Sequence, residues 1–294
     1  MHWIQIILET SRQDCEPLED SLMELGALAV TYVDAADQPL FEPGPGETPL
    51  WDAVRLVGLF PAEAPMETIT DQLKTQFGEA MPKHRTEILE DKDWIREWMD
   101  QFQPMKFGQR LWIVPSWTTP PEPDAVNLML DPGLAFGTGT HATTSLCLQW
   151  LDANTPENLS VIDYGCGSGV LGIAALLLGC NTMCGIDIDP QALIATRQNA
   201  EQNGISEDQY SIYLPAHAPH EIADLVLANI LAGPLITLSE DISSRVKPGG
   251  HLVLSGILST QAQEVLAVYQ DEFDFEAVAE QDGWVRLAGK KRFA

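Results

Sequence analysis

From Val161 onward the chain is punctuated by short, almost continuous apolar runs, VIDYG, MCGIDID, LVLANI and HLVLSGI, separated by stretches with helical spacing. A strand that is apolar on both faces has no side to show to water, so these runs require a sheet covered by helices on both sides. Strands alternating with helices make that sheet parallel, and the architecture implied is a doubly wound α/β domain. The C-terminal FEAVAEQDGWVRLAGKK departs from the pattern. It reads as two strands joined at the turn signal Asp282-Gly283, which adds an antiparallel strand in the sheet's edge region.

The first ninety residues follow a different rhythm. The strand-like WIQIILET precedes CEPLEDSLMELGA, where Leu18, Leu22 and Leu25 share a helical face, and LAVTYVD follows. After the loop FEPGPGETPLW the order repeats with AVRLVGLF, the helical METITDQLKTQF with Ile69, Leu73 and Phe77 on one side, and RTEILE. The order βαββαβ predicts a ferredoxin-like α+β sandwich over residues 1–90. Residues 91–103, DKDWIREWMDQFQ, read as an amphipathic helical linker with Trp94 and Trp98 one turn apart as a packing stripe, closed by Pro104. Residues 104–294 form the second domain.

With 294 residues the chain has length for two such cores. Its N-terminus lacks a basic segment before a cleavable apolar stretch, and no apolar run reaches membrane-spanning length, so a cytoplasmic protein is expected. Cys15, Cys147, Cys166, Cys180 and Cys184 form no CxxC pair and are expected to be reduced thiols rather than disulfides or zinc ligands. The formal charge is −27, with −12 in residues 1–90 and −15 in the remainder. Such a field repels nucleic-acid backbones and attracts a cationic partner, or serves solubility or a salty habitat.

The chemistry concentrates at strand ends. The first apolar run closes in DYGCGSGVLG, where Gly167, Gly169 and Gly172 satisfy GxGxxG and Gly165 opens the turn. Missing Cβ atoms let a ligand lie against such a turn, but the pattern fits NAD, FAD and S-adenosylmethionine sites alike. Asp163 stands two residues before the first glycine, where its carboxylate would repel a diphosphate and tolerate a cationic sulfonium. Asp187, twenty-two residues after Gly165, is placed to accept hydrogen bonds from two ribose hydroxyls. Asp189, followed by Pro190, carries the signature of a helix N-cap. Asn229 in ADLVLANILAGPL reaches the same sheet edge with an amide that can orient an amine without protonating it. Upstream, DPGLAFGTGTHATTS resembles a phosphate cradle but lacks the Lys a P-loop places before its Ser or Thr.

Together these segments resemble a seven-stranded, Rossmann-like, class I S-adenosylmethionine-dependent methyltransferase. More narrowly, DKDWIREWMDQFQPMKFG, LDPGLAFGTGTHATTSLCLQWL, VIDYGCGSGVLGIAAL, GIDIDPQAL and ANILAGPL resemble the ribosomal protein L-eleven methyltransferases, the PrmA family. The resemblance is close over the linker and second domain, and looser over residues 1–90. It implies a ferredoxin-like domain that grips the ribosomal protein, a reorienting linker, and a catalytic domain that trimethylates lysine side chains and the N-terminal amine. Carried over by motif, the S-adenosyl-L-methionine contacts fall on Thr144, Gly165, Gly167, Asp187 and Asn229. A monomer with no metal, no direct nucleic-acid contact and no membrane association is expected.

Methyl transfer from a sulfonium to an amine is an in-line displacement, so the enzyme must chiefly position the reactants and secure a neutral nitrogen. A lysine with a pKa near ~10.4 must lose its proton to an apolar pocket or to the nearby positive charge, and no obligatory general base is expected. His141 could take the proton, or its imidazole could fix the loop through a hydrogen bond; the second reading is preferred. In this frame Gly133, Gly137 and Gly139 let the loop fold over the methionine side of the cofactor, with Phe136 screening the transfer from water. Thr143 and Thr144 begin the following helix. Other readings are an N-methyltransferase acting on another protein or small amine, a nicotinamide-dependent oxidoreductase, and a ribosome-assembly factor.

Overall fold

The computed structural model describes residues 3–36, 38, 50–89, 102–131 and 141–293. The chain divides into two compact units, Met1–Gln101 and Phe102–Ala294.

The first unit runs β1 (Trp3–Ser11), α1 (Cys15–Glu24), β2 (Ala29–Asp34), β3 (Ala53–Pro61), α2 (Met66–Phe77) and β4 (Lys83–Leu89). Its strands pair antiparallel in the order β2-β3-β1-β4. Alternation in β3 sends Leu56 and Phe60 to one face, where they pack with Ile6 and Leu8 of β1. Leu18 and Leu22 of α1, and Ile69 and Leu73 of α2, complete that core. Leu25 and Phe77 pack at its margin. The linker expected over 91–103 lies outside the described residues except for Phe102 and Gln103, which are not helical. Pro104 accounts for Gln103, because its ring disfavours helical geometry in the residue before it.

The second unit is built on an eight-stranded sheet. Its path is β10 (Tyr210–Tyr213), β9 (Thr182–Ile186), β8 (Ser160–Tyr164), β11 (Ala223–Asn229), β12 (Val246–Leu258), β15 (Trp284–Lys291) and β13 (Phe273–Phe275), with β14 (Ala279–Gln281) paired to β15. Neighbours from β10 to β12 are parallel, and β15 runs antiparallel to β12, β13 and β14. Successive residues feed opposite cores: Val161, Leu225, Leu227 and Val253 enter one, Ile162, Val226, Ala228 and Leu254 the other. This is the two-sided burial that continuous apolar strands require.

The Asp282-Gly283 turn forms the β14–β15 hairpin, with positive φ of 53° and 78° at its two residues. The long strand it delivers is not at the edge, however: β15 is inserted between β12 and β13. Thirteen-residue β12 offers a long apolar flank, and β15 pairs with it from His251 to Leu258, burying Val285 and Leu287.

A three-stranded sheet of β5 (Met105–Phe107), β6 (Leu111–Val114) and β7 (Val126–Met129) precedes this fold, and sequence periodicity does not announce it. Side chains from helices secure it. The buried carboxylate of Asp152, on α3 (Ala142–Ala153), accepts backbone N–H bonds from Gln109, Arg110 and Leu111 at 2.5, 3.1 and 3.1 Å. The amide of Asn203 both donates to the carbonyl of Met129 and accepts from its N–H, at 2.8 and 2.7 Å, as a neighbouring strand would. Asp131 is held by the N–H of Ser116 at 2.7 Å and the amide of Gln202 at 3.1 Å. The segment thus anchored leads to residues 132–140, which include Gly133, Phe136, Gly137 and Gly139 and lie outside the described residues.

Candidate cofactor site

Strand β8 ends at Tyr164, and the chain turns through Gly165, Gly167 and Gly169, all at positive φ, into α4 (Val170–Leu177). Gly165 requires the absence of a side chain twice over: its φ is 78°, and a Cβ there would lie 2.2 Å from Ile230 Cγ2. The turn is tied to the next strand, since the N–H groups of Gly165 and Cys166 both donate to the carbonyl of Ile186, at 2.7 and 3.1 Å. Helix α4, VLGIAALL, is apolar all round and buried accordingly.

Asp187 follows β9 directly. One carboxylate oxygen accepts from the N–H of Gly167 at 2.8 Å and the other from the N–H of Asp189 at 2.9 Å. The anion is therefore fixed at the open turn, half-buried, with lone pairs left for hydroxyl donors. Asp189 caps α5 (Pro190–Gln202), its side chain accepting from the N–H of Gln191 at 2.8 Å. Two residues that sequence spacing does not single out brace the turn from α5: Thr196 donates to the carbonyl of Gly167 at 3.0 Å, and Asn199 to that of Ser168 at 2.8 Å. Ile188, 84% exposed between the two aspartates, puts an apolar side chain beside Asp187. Its position two residues past the strand end in GIDID was the available signal.

Asp163 takes a different place from the one expected of a carboxylate facing ligand. It is 1% exposed, on the face where α4 packs, and accepts from the N–H of Gly172 at 2.8 Å. Burial pushes its pKa up to about 7; the Gly172 hydrogen bond opposes this and the charge of Asp187 adds to it. Its job is to anchor the first turn of α4. Gly172 matches the approach, because a Cβ there would meet Met183 at 2.8 Å and the Asp163 carboxylate at 3.1 Å.

The far wall is α3. His141 is its N-cap, with Nδ1 accepting from the N–H of Thr143 at 3.3 Å and lying 2.8 Å from the Thr143 hydroxyl. Thr143 and Thr144 occupy the first turn, and Thr144 is 2% exposed. Asn229, the last residue of β11, donates from Nδ2 to the Thr144 hydroxyl at 3.3 Å. The structure thus joins Thr144 to Asn229, Gly167 to Asp187 and Gly165 to the neighbouring Ile186, at the carboxyl ends of the parallel strands where ligands of open α/β sheets bind. All five cysteines are free and buried, Cys166 within the turn included. Among the described residues no group of His, Cys, Asp and Glu could hold a metal ion.

A glycine turn, an anchored carboxylate able to accept from two hydroxyls, and a threonine–asparagine pair at the same sheet edge suit a cofactor that carries a ribose and polar groups. Comparison with known proteins agrees. The family described as "Ribosomal protein L11 methyltransferase (PrmA)" matches residues 2–292. Proteins named ribosomal protein L11 methyltransferase from Pseudomonas putida (strain GB-1) and Ectopseudomonas mendocina (strain ymp) are 53% and 54% identical over 292 residues, 99% of this chain and 100% of each relative. The crystal structure of a ribosomal protein L11 methylase from Lactobacillus delbrueckii subsp. bulgaricus superimposes with a TM-score of 0.58 at 32% identity, covering 65% of this chain and 100% of that one. The chain belongs to the ribosomal protein L11 methyltransferase (PrmA) family.

Proposed function

We propose that this protein transfers methyl groups from S-adenosyl-L-methionine to the large-subunit ribosomal protein L11, trimethylating lysine side chains and the N-terminal amine. Family membership supports the reaction and its substrate. The observation that carries the site assignment is the meeting of Thr144 and Asn229 opposite a glycine turn anchored to Asp187.

The residues present fit this cofactor. Gly165 and Gly167 hold the turn at positive φ, Asp187 offers carboxylate oxygens to the ribose, and Ile188 offers apolar surface beside them. Thr144 and Asn229 would hold the end that bears the amino acid. When bound, the cofactor supplies an electrophilic methyl group already activated by positive charge. The chain then has to align an amine with that methyl, exclude water and keep the nitrogen unprotonated. Asn229 suits the alignment of the amine. With Nδ2 engaged by Thr144, its carbonyl oxygen accepts from an amine N–H without donating a proton. His141 serves as a helix cap, consistent with transfer that needs no obligatory base.

We read the first unit as a ferredoxin-like module that grips the substrate, supported by its β-α-β-β-α-β order and strand arrangement. A net charge of −27 favours capture of a basic protein over direct contact with nucleic acid, and the enzyme is taken to act as a cytoplasmic monomer. No described helix is long and apolar enough to cross a membrane.

The test is mass spectrometry of large-subunit ribosomal proteins from cells with and without the gene. Loss of methyl groups from protein L11 alone is expected. Unchanged L11 with methyl groups lost elsewhere would transfer the assignment to another amine substrate.

A further inference from the structure

The β14–β15 hairpin reaches across to the N-terminal turns of α3 with three side chains, one before its turn and two after. Gln281 Oε1 accepts from the Ser145 hydroxyl at 3.3 Å. Arg286, nearly buried, donates to the carbonyl of Leu146 at 3.4 Å. Trp284, the first residue of β15, meets the imidazole of His141 edge to face, with ring centroids 4.9 Å apart and planes at 71°.

The last contact has a consequence for the site. His141 is exposed, and an exposed imidazole without a packed neighbour exchanges rotamers freely. To cap α3 it must hold Nδ1 toward the N–H and hydroxyl of Thr143, and an edge-on indole favours one ring orientation. Thr144 lies between this capped residue and the tethered Ser145, so the direction of its hydroxyl follows the geometry of this first turn.

We propose that Trp284 is a positioning residue for methyl transfer, acting through His141 to hold the Thr144 hydroxyl against Asn229. Gln281 and Arg286 secure the same helix further along. This rests on the reading that Thr144 contacts the cofactor.

The test is a double-mutant cycle on the full chain, with dissociation constants for S-adenosylmethionine from calorimetry and steady-state constants for both substrates. Trp284→Leu is expected to weaken cofactor binding about fivefold to tenfold, raising the KM for cofactor while the KM for the ribosomal protein stays within twofold. Trp284→Phe, which retains an aromatic edge, stays within about twofold of the parent in cofactor affinity. His141→Asn, which retains a capping acceptor, binds cofactor more tightly than His141→Ala. The double variant Trp284→Leu with His141→Ala is no worse than His141→Ala alone. Additive losses would overturn the proposal by making Trp284 independent of His141, and a Trp284→Leu effect confined to the KM for the ribosomal protein would overturn it by making Trp284 a substrate contact. Thr144→Val separates the two levels. If it leaves cofactor affinity unchanged, the reading of Thr144 fails; if it weakens binding while Trp284→Leu does not, only the role of Trp284 fails. Thermal melting of each variant excludes global unfolding as the cause.

Discussion

The amide of Asn229 donates to the hydroxyl of Thr144 across 3.3 Å, joining the end of a parallel strand to the first turn of a helix 85 residues earlier in the chain. Each group is held by its own element, and the pair spans the sheet edge where the glycine turn opens.

Thr144→Val removes the hydroxyl from a position that is 2% exposed while keeping the branched shape. The loss of one hydrogen bond to ligand, on the order of 1–1.5 kcal/mol, corresponds to about a fivefold to tenfold weaker cofactor. Calorimetric titration with S-adenosylhomocysteine checks it, and an unchanged dissociation constant would remove Thr144 from the site.

Gly165→Ala places a Cβ at φ 78° and 2.2 Å from Ile230 Cγ2. Strain and overlap together should cost roughly 1–3 kcal/mol of stability, seen as a lower urea midpoint with an unchanged slope. Cofactor binding should fall as well, because relief of the overlap shifts the turn or the segment after Asn229.

Asp187 and Asp189 stand two residues apart and should separate cleanly. Asp189→Ala removes the cap of α5 and is expected to lower stability by about 1 kcal/mol with cofactor affinity unchanged. Asp187→Asn, losing the charge that accepts from Gly167 and Asp189, should weaken the cofactor at least tenfold. Equal effects of the two substitutions on binding would contradict the separation.

Asp163 makes stability depend on pH. Its folded-state pKa is raised from 3.8 to about 7 by burial, so the folded protein retains a proton that the unfolded chain releases. This contribution is fully present below about pH 4 and is lost as the pH rises through about 7. Asp163→Asn keeps an acceptor for Gly172 and removes the titration. The difference in urea midpoint between parent and variant should therefore change across that window and be flat above it.

The parallel strands were legible because two-sided burial left no polar alternation in VIDYG or LVLANI, and the Asp189 cap because Asp-Pro has few other uses. The glycine turn and Asp187 were readable from spacing. Three kinds of feature were not. Strands as short as Met105–Phe107 and Leu111–Val114 are too brief to show a period, and they are held by Asp152 and Asn203, distant in sequence. The insertion of β15 between β12 and β13 is a matter of strand order, to which local pattern is blind. For Asp163, a position two before the glycine could not tell a carboxylate facing the ligand from one buried beneath the turn and bonded to Gly172.

Methylation of ribosomal-protein amines with S-adenosylmethionine can be read from the intact mass of purified protein L11 after incubation with the purified enzyme and cofactor. Mass gains in whole methyl groups that map to lysine side chains and the N-terminal amine are expected, absent without cofactor and strongly reduced with Asp187→Asn. An unchanged mass, under conditions where calorimetry shows the cofactor bound, would contradict it.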